Sequence, residues 1–242
     1  MTRSDLASLR GEPSYVWRAG QERRLRMMAK WAPLAGAHVL VAGCGVGMYA
    51  GQIRERFTDR VEAFDIEFSR ARAARQGIPN ALVSAGEDIP YAASSFDVVL
   101  SHEVIEHVRD DRRCLREMLR VTTSGGRILL FCPNRWYPFE THGHYWRSEY
   151  HFGNTPLINY LPDPWRGKLA PHVRAYTAAE LKRLLAIPGA TILHHSRVYG
   201  GYDNIIARFG RPAVLLRDLL HRLEGNLLDT WALSHFVVIE KR

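Results

Sequence analysis

Short apolar runs separated by helical stretches occupy the first half of the chain. The runs at 38–42, 61–66, 81–85, 96–101 and 125–132 have the length of buried strands and are bounded by turn residues. Strands that alternate with helices in this way pair in parallel through right-handed crossovers. The pattern therefore predicts an α/β fold with a doubly wound, mostly parallel sheet.

Apolar residues recur at helical spacing between and around these strands. Thr177 followed by Glu180 is a capping box, which marks the start of one such helix. Two further strands are expected near the C-terminus, on either side of an amphipathic basic helix pair. The predicted helices cover 14–31, 48–57, 69–75, the EVIEHV and CLREMLRV segments, 177–186 and 203–227, and the last strands cover 190–199 and 233–242.

Residues 133–176 interrupt this regularity with many aromatic residues, prolines and histidines that follow no period. A stretch of this length without regular structure inside a compact domain is usually functional, for example a lid. We therefore expect one domain over 1–242. It comprises an N-terminal helical cap at 1–34, a core at 35–132, the lid inserted after the fifth strand, and C-terminal helices and strands at 177–242.

The composition is that of a globular protein, with 46% hydrophobic and 24% charged residues. No window approaches the ~18 apolar residues of a membrane span, and the N-terminus lacks the apolar centre of an export signal. Cys44, Cys114 and Cys132 have no metal-type spacing, so we expect a reducing, cytoplasmic setting. The net charge of +8 is compatible with nucleic acid, an anionic membrane or an acidic partner, but scattered arginines favour an ordinary basic surface.

A glycine turn, GCGVG at 43–47, follows the first predicted strand and precedes a helix. Such turns bring the backbone close to a ligand at the helix N-terminus. A dinucleotide site requires G-x-G-x-x-G, whose third glycine would fall at Met48, and the third glycine here is Gly47. Asp65 ends the second strand, where a carboxylate can accept both hydrogen bonds of a ribose diol or cap the next helix. This register argues against a nicotinamide or flavin cofactor.

Four segments in order carry a resemblance to a known family: VLVAGCGVG, AFDIEFS, SAGEDIPYAASSFDVVLSHEVIEHV and EMLRVTTSGGRILLFCPN. Together, over roughly 35–134, they resemble the motifs of the class I S-adenosylmethionine-dependent methyltransferases, in particular the branch acting on small molecules, lipids and quinones. The resemblance implies a Rossmann-like methyltransferase fold with a seven-stranded sheet. It also implies an enzyme that uses S-adenosyl-L-methionine and releases S-adenosyl-L-homocysteine.

The resemblance also assigns the cofactor contacts residue by residue, with two departures from the family pattern. The family usually has an acid at the positions of Val41 and Ala85, and Glu87 or Asp88 could replace the second one. Each loss costs about 1–2 kcal/mol if nothing compensates for it. The expected contacts are Gly43, Cys44, Gly45 and Gly47 at the methionine part, Asp65 at the ribose, Ile66, Gly86, Glu87 and Asp88 around the adenine, and Ser101 and His102 near the sulfonium.

The acceptor is expected at the segment PNRWYPFETHGHYW, 133–146, where the resemblance locates the acceptor pocket. Aromatic walls with a few polar groups suit a small molecule, and an aliphatic hydroxyl needs a base to remove its proton. The base candidates are His142, His144 and Glu140, in that order. The alternative is a surface loop whose histidines are solvated. These three residues could also ligate a metal, but one extended stretch needs further ligands from elsewhere, so we expect none.

Three other features carry open alternatives. His107 matches a histidine that is frequent in the family branch, and its predicted helical position favours a structural role. Arg18 and Arg24 could bind the cofactor carboxylate or be solvated. The helix predicted at 211–228 could cap the pocket, form a dimer face, make peripheral contact with an anionic membrane or simply pack on the core.

The leading functional hypothesis is O-methylation of a hydroxyl on a small molecule, glycan or lipid-like acceptor. The alternatives are N- or C-methylation of a small molecule, a nucleic-acid-binding protein, and a non-catalytic partner protein with this fold. Nucleic acid is disfavoured because SHEV follows the fourth strand in place of the Asn/Asp-Pro-Pro-aromatic turn of amino-directed DNA methyltransferases. The sequence leaves the acceptor and the oligomeric state open.

Overall fold

The computed structural model describes residues 15–242, and the predicted doubly wound sheet is confirmed. The helices are α1 (Ala19–Trp31), α2 (Met48–Arg56), α3 (Phe68–Ala74), α4 (Asp111–Val121), α5 (Asp163–Leu169), α6 (Ala178–Leu184), α7 (Asp203–Phe209) and α8 (Arg211–Arg222). The strands are β1 (Val39–Ala42), β2 (Val61–Asp65), β3 (Leu82–Val83), β4 (Phe96–His102), β5 (Thr122–Pro133), β6 (Phe139–Glu140), β7 (His144–Trp146), β8 (Glu149–His151), β9 (Thr155–Pro156), β10 (Ala190–Val198) and β11 (Ser234–Lys241).

Seven strands form the main sheet in the order β10-β11-β5-β4-β1-β2-β3. The five strands from β5 to β3 are parallel, whereas β11 runs antiparallel to both β5 and β10. Strand β1 lies in the middle of the parallel part, between β4 and β2, and all four of its residues are buried. Its run is continuously apolar because helices cover both faces of the sheet.

The two hydrophobic cores lie on opposite faces of this sheet. On one face Met28 of α1 and Ile53 of α2 pack with Val41 of β1. On the other face Leu115 of α4 packs with Leu40 of β1. Because side chains of a strand alternate between faces, each strand contributes to both cores.

The segment EVIEHV is not helical, contrary to the prediction. Glu103 has φ +55 and its N–H donates to the carbonyl of Phe131, so the chain turns sharply where β4 ends. The following helix begins only at Asp111, where the side chain of Asp110 accepts a hydrogen bond from the N–H of Arg113 at 2.9 Å. His107 therefore lies in a loop above the sheet and not on a helix face.

The first helix is shorter than predicted. It was expected to span 14–31, and it begins at Ala19 because Arg18 is extended and its N–H donates to the side chain of Gln21 at 3.0 Å. Residue 14 and the rest of 1–14 lie outside the described residues, and so does that part of the predicted cap at 1–34.

Residues 133–176 carry more regular structure than the sequence indicated. Strands β6 and β9 pair antiparallel, as do β7 and β8, and a short 3-10 helix at Ile158–Tyr160 precedes α5. These elements are too short to show a hydrophobic period, which explains why the prediction missed them. The role of this segment as a lid stays a prediction.

The C-terminal elements match the predictions closely. Thr177 and Glu180 form the expected capping box at the start of α6. The predicted basic helix pair corresponds to α7 and α8, and α8 ends at Arg222 rather than at 228. On α8, Leu215 and Leu219 are exposed, so this face does not pack on the core. Its contact with a membrane remains a prediction, and none of the described helices has the length and apolarity to cross one.

Candidate functional site

A cavity of about 970 Å³ opens at the carboxyl ends of β1, β2 and β4. Doubly wound sheets bind their ligands at this edge, where neighbouring crossovers diverge. The glycine turn, the end of β2 and the loop at 84–88 form one end of the cavity. We call this part the strand-end half. The loop after β4 and residues of the segment 133–176 form the other end, which we call the loop half.

The glycine turn lies so close to neighbouring atoms that a side chain at Gly43 or Gly47 would contact them. Gly43 has φ +65, and an added Cβ would lie 2.5 Å from a methyl group of Val104. Gly47 caps α2 with φ +88, and its Cβ would lie 3.2 Å from Ala74 of α3. Gly43 therefore leaves its backbone open to the cavity, whereas Gly47 allows close helix packing. Gly47 does not line the cavity, although Val46 and Met48 do, and its contact with the ligand stays a prediction.

Asp65 is buried and holds the glycine turn in place. Its Oδ2 accepts a hydrogen bond from the N–H of Gly45 at 2.8 Å, and its Oδ1 accepts one from the N–H of Glu67 at 2.9 Å. The second bond resembles the helix-cap alternative, since Glu67 precedes α3. Ile66 follows Asp65 and exposes 45% of its surface at the cavity. The strand-end half thus combines a carboxylate with an open apolar face.

The loop at 84–88 borders the same half. Gly86, Glu87 and Asp88 all line the cavity, as does Ala85. Glu87 is occupied, because its Oε1 accepts hydrogen bonds from the N–H groups of Arg109 and Asp110 at 2.7 and 3.2 Å. Asp88 is exposed at the rim, so of the two acids it is the better placed to replace the acid missing at Ala85.

Arg24 of α1 crosses the middle of the cavity. Its guanidinium lies 2.6 Å from Nε2 of His102 and donates to Glu103 and to Ser234, each at 2.9 Å. Burial first, and then the positive charge of Arg24, lower the pKa of His102 to about 3, so this ring is neutral. Cys44 also lines the cavity, and burial and Asp65 raise the pKa of its thiol to about 12.

Ser101 does not reach the cavity, contrary to the prediction. It is fully buried, and it precedes His102 in β4, so the two side chains point to opposite faces of the sheet. His102 points to the cavity side, where it packs against the rings of Tyr49 and Phe131. The prediction placed both residues at the strand end without accounting for this alternation.

Of the three base candidates, the structure places only His142 at the cavity. Its Nδ1 lies 3.1 Å from Oε1 of Glu140, which also accepts a hydrogen bond from the backbone N–H of His142 at 3.0 Å. The other oxygen of Glu140 accepts from Arg166 of α5 at 2.8 Å. Glu140 and Arg166 are both buried, so they fix the position of His142 from behind.

Glu140 thus contacts His142 and Arg166 and does not itself line the cavity. Burial by itself raises the pKa of its carboxyl, but the hydrogen bonds and charges of His142 and Arg166 outweigh this and lower it to about 2. His144 points away from the cavity, where its Nδ1 lies 2.9 Å from Thr155 Oγ1 and its ring stacks on His151. The metal site considered for Glu140, His142 and His144 is not formed, because His144 lies apart.

Glu106 and Arg166 of the loop half were missed by the sequence analysis, which assigned a structural role to His107. Glu106 is 1% exposed, and its Oε1 lies 4.0 Å from Nε2 of His107 and 3.9 Å from Nε2 of His142. His107 lines the cavity, and burial lowers the pKa of its ring to about 3. The repeated acids of EVIEHV were the only signal for Glu106, and nothing local indicated Arg166.

Comparisons with known proteins agree with this geometry. A family model described as "Methyltransferase domain" matches residues 40–130. The ajmaline N-methyltransferase of Rauvolfia serpentina is 31% identical over 38% of this chain and 35% of its own length. The ubiquinone biosynthesis O-methyltransferase of Methylocella silvestris is 32% identical over 62% of this chain and 59% of its own length. The chain thus spans about a third to three fifths of these two relatives.

A solved structure resembles nearly the whole chain. The S-adenosylmethionine-dependent methyltransferase of Mesorhizobium loti superposes with a TM-score of 0.65 over 92% of this chain and 98% of its own, at 19% identity. At that identity the likeness concerns the fold alone. It extends to the strands and helices beyond 40–130, which the family model does not reach.

Proposed function

Because the chain belongs to the class I S-adenosylmethionine-dependent methyltransferase family, we propose that it transfers a methyl group to a hydroxyl of a small-molecule, glycan or lipid-like acceptor. The observation that carries this proposal is the single cavity, which joins the glycine turn and Asp65 to His142. Such a cavity holds the cofactor and an acceptor side by side, as an in-line displacement requires.

The strand-end half fits S-adenosylmethionine. The backbone of Gly43 and Gly45 lines the cavity, and a Cβ at Gly43 would meet Val104. Asp65 presents a buried carboxylate beside the exposed face of Ile66. Asp65 would hold the ribose diol and Ile66 would cover the adenine, while Arg24 would meet the methionine carboxylate. When bound, the cofactor supplies the electrophilic methyl group.

The loop half supports a hydroxyl as the acceptor. A carboxylate or phenolate needs little help to attack, whereas an aliphatic hydroxyl must lose a proton or be polarised. His142 is the polar group placed for this, since Glu140 holds its Nδ1 and leaves Nε2 directed into the site. The proposal therefore assigns the activation of the acceptor oxygen to the His142 side chain.

The relatives include both an N-methyltransferase and an O-methyltransferase, so the methylated atom must be tested directly. The protein is incubated with methyl-labelled S-adenosylmethionine and a panel of hydroxylated acceptors, and the same panel is offered as amines. We expect label in the hydroxylated compounds. Transfer to amines alone would replace the proposal by N-methylation. Cofactor binding without transfer to any acceptor would favour a non-catalytic partner protein.

A further inference from the structure

Three side chains meet in the loop half, those of Glu106, His107 and His142. Oε1 of Glu106 lies 3.9 Å from Nε2 of His142 and 4.0 Å from Nε2 of His107, and the three ligand atoms lie within 4.8 Å of one another. Glu106 is 1% exposed, and neither of its carboxylate oxygens has a hydrogen-bond partner among the described residues. A buried carboxylate left in this state is strongly destabilising.

The far nitrogen of each imidazole is held by an acceptor. Nδ1 of His142 faces Oε1 of Glu140 at 3.1 Å, and Nδ1 of His107 faces the carbonyl oxygen of His172 at 3.3 Å. We assign the proton of each ring to Nδ1 on the basis of these acceptors. Both Nε2 lone pairs then point toward Glu106, so with that carboxyl ionised the centre of the cluster consists of acceptors only.

The nearest guanidinium does not neutralise Glu106. Arg24 is already bound to Glu103, His102 and Ser234 at 2.6–2.9 Å. Burial, and then the negative charge of Glu103, raise the pKa of the Glu106 carboxyl well above its usual range. The cluster lacks a positive charge at the point where its lone pairs converge.

We propose that Glu106, His107 and His142 bind one divalent transition-metal ion, of the type of Zn²⁺, with a coordination position open to the cavity. Two imidazoles and one carboxylate are the ligand set of open zinc sites, and nitrogen ligands favour zinc over magnesium. Tetrahedral binding at about 2.0–2.1 Å places ligand atoms roughly 3.3 Å apart, so Oε1 of Glu106 must come about 0.6–0.7 Å closer to each imidazole nitrogen. The two nitrogens, which lie within 4.8 Å of each other, must approach by up to about 1.5 Å.

The surroundings of the cluster match those of a metal site. In such sites each ligating histidine donates its other N–H to a carboxylate or a carbonyl, which orients the ring. Here Glu140 does this for His142 and is itself held by Arg166 at 2.8 Å, while the carbonyl of His172 does it for His107. This donor set differs from the Glu140, His142 and His144 set for which the sequence predicted no metal.

The inference deepens the proposed function and depends on it for its catalytic meaning. His107 and His142 both line the cavity, so an acceptor hydroxyl or a water molecule could occupy the open position. A cation there makes a bound hydroxyl more acidic. The activation of the acceptor then belongs to the ion held by His142, and not to His142 alone.

The test is calorimetric titration of chelator-treated, desalted protein with Zn²⁺, repeated with Mg²⁺. We expect one equivalent of Zn²⁺ to bind, and Glu106→Gln to weaken binding by at least about 100-fold without loss of folding, because it removes only the charge. Glu140→Gln should weaken binding by about 10- to 100-fold. The matched controls are Glu149→Gln and His151→Ala, which alter the exposed strand β8 and should leave binding unchanged.

The outcomes separate the metal site from the methyl transfer. Zn²⁺ binding that survives Glu106→Gln and is lost in His151→Ala would assign the ion to the stacked pair of His144 and His151 and overturn the proposal. Protein that binds S-adenosylhomocysteine but neither metal would also overturn it, while leaving the proposed function intact. Zn²⁺ binding lost in Glu106→Gln, by protein that binds no S-adenosylhomocysteine, would uphold the metal site and overturn the proposed function.

Discussion

The two halves of the cavity are built by different means. In the strand-end half, backbone groups and one carboxylate come from turns that directly follow adjacent parallel strands. In the loop half, buried side chains come from the loop after β4, from the segment around β6 and from α5, and they depend on each other. Strand pairing therefore brings the first half together, whereas contacts between side chains bring the second half together.

The sheet itself brings the strand-end half together. Ala42 and Phe64 are paired between β1 and β2, so the glycine turn and Asp65 emerge side by side. The hydrogen bond between Gly45 and Asp65, at 2.8 Å, follows from this register. In the loop half no strand pairing joins Glu140 to Arg166. Their contact at 2.8 Å is made by two buried side chains, one near β6 and the other on α5.

The largest effect is expected when the loop half loses its buried cation. Arg166→Met leaves the buried Glu140 charge unpaired and should lower the free energy of unfolding by about 3–5 kcal/mol, measured by urea denaturation. Arg135→Met is the matched control, because Arg135 pairs with the exposed Asp163 and should lose less than about 1 kcal/mol. The double variant Arg166→Met/Glu140→Gln should recover part of the loss.

Equal losses in Arg166→Met and Arg135→Met would show that the buried pair does not support the loop half. The affinity for S-adenosylhomocysteine provides a second readout. It should change little in Arg166→Met if the two halves are built independently.

The reciprocal change removes the carboxylate of the strand-end half. Asp65→Ala should weaken S-adenosylhomocysteine binding by about 100- to 1,000-fold, because hydrogen bonds to a charged group are lost together with the support of Gly45. Titration calorimetry measures this change. Asp59→Ala, exposed just before β2, should bind normally. A loss of affinity below about tenfold in Asp65→Ala would show that Asp65 does not bind the ribose.

A third variant separates the two histidines that the sequence analysis ranked first and second as base candidates. His142→Ala should reduce methyl transfer to the acceptor found in the labelling screen by at least about 100-fold, with unchanged affinity for S-adenosylhomocysteine. His144→Ala should retain activity, because its ring packs against His151 outside the cavity. Activity lost in His144→Ala and kept in His142→Ala would reverse the assignment.

The smallest effect concerns the third glycine of the turn. Gly47→Ala should destabilise the protein by about 1–2 kcal/mol, since φ is +88 and Ala74 lies 3.2 Å from the added Cβ. Its effect on S-adenosylhomocysteine affinity should stay within about threefold. Gly51→Ala, within α2 and with no atom near its Cβ, should instead stabilise the protein slightly. A large loss of affinity in Gly47→Ala would show that Gly47 does contact the ligand.

This difference between the halves also explains what the sequence could predict. The seven strands of the main sheet, the helix pair at 203–227 and the capping box at Thr177 follow from apolar spacing and local hydrogen bonding, and the sequence predicted all of them. The glycine turn and Asp65 could also be predicted, because each directly follows or ends a strand that the apolar pattern indicates. Val41, which stands where the family usually has an acid, lines the cavity with an apolar side chain.

The failures occur where a side chain depends on a distant partner or on the direction of a strand. The EVIEHV segment has helical spacing, but the positive φ of Glu103 is incompatible with a right-handed helix at this position. The segment contains no glycine that would have indicated a positive φ. Ser101 and His102 differ by one position in β4 and so point to opposite faces. The pairing of Glu140 with Arg166 spans 26 positions and follows no local pattern.

The measurement that tests the central claim most directly is calorimetric titration of the purified protein with S-adenosylmethionine, S-adenosylhomocysteine and NAD. Micromolar binding of both adenosyl compounds and no binding of NAD is the predicted result. It follows from the G-x-G-x-G register of the turn and from Asp65 beside the open face of Ile66. Binding of NAD, or of none of the three, would contradict the assignment of the strand-end half to this cofactor.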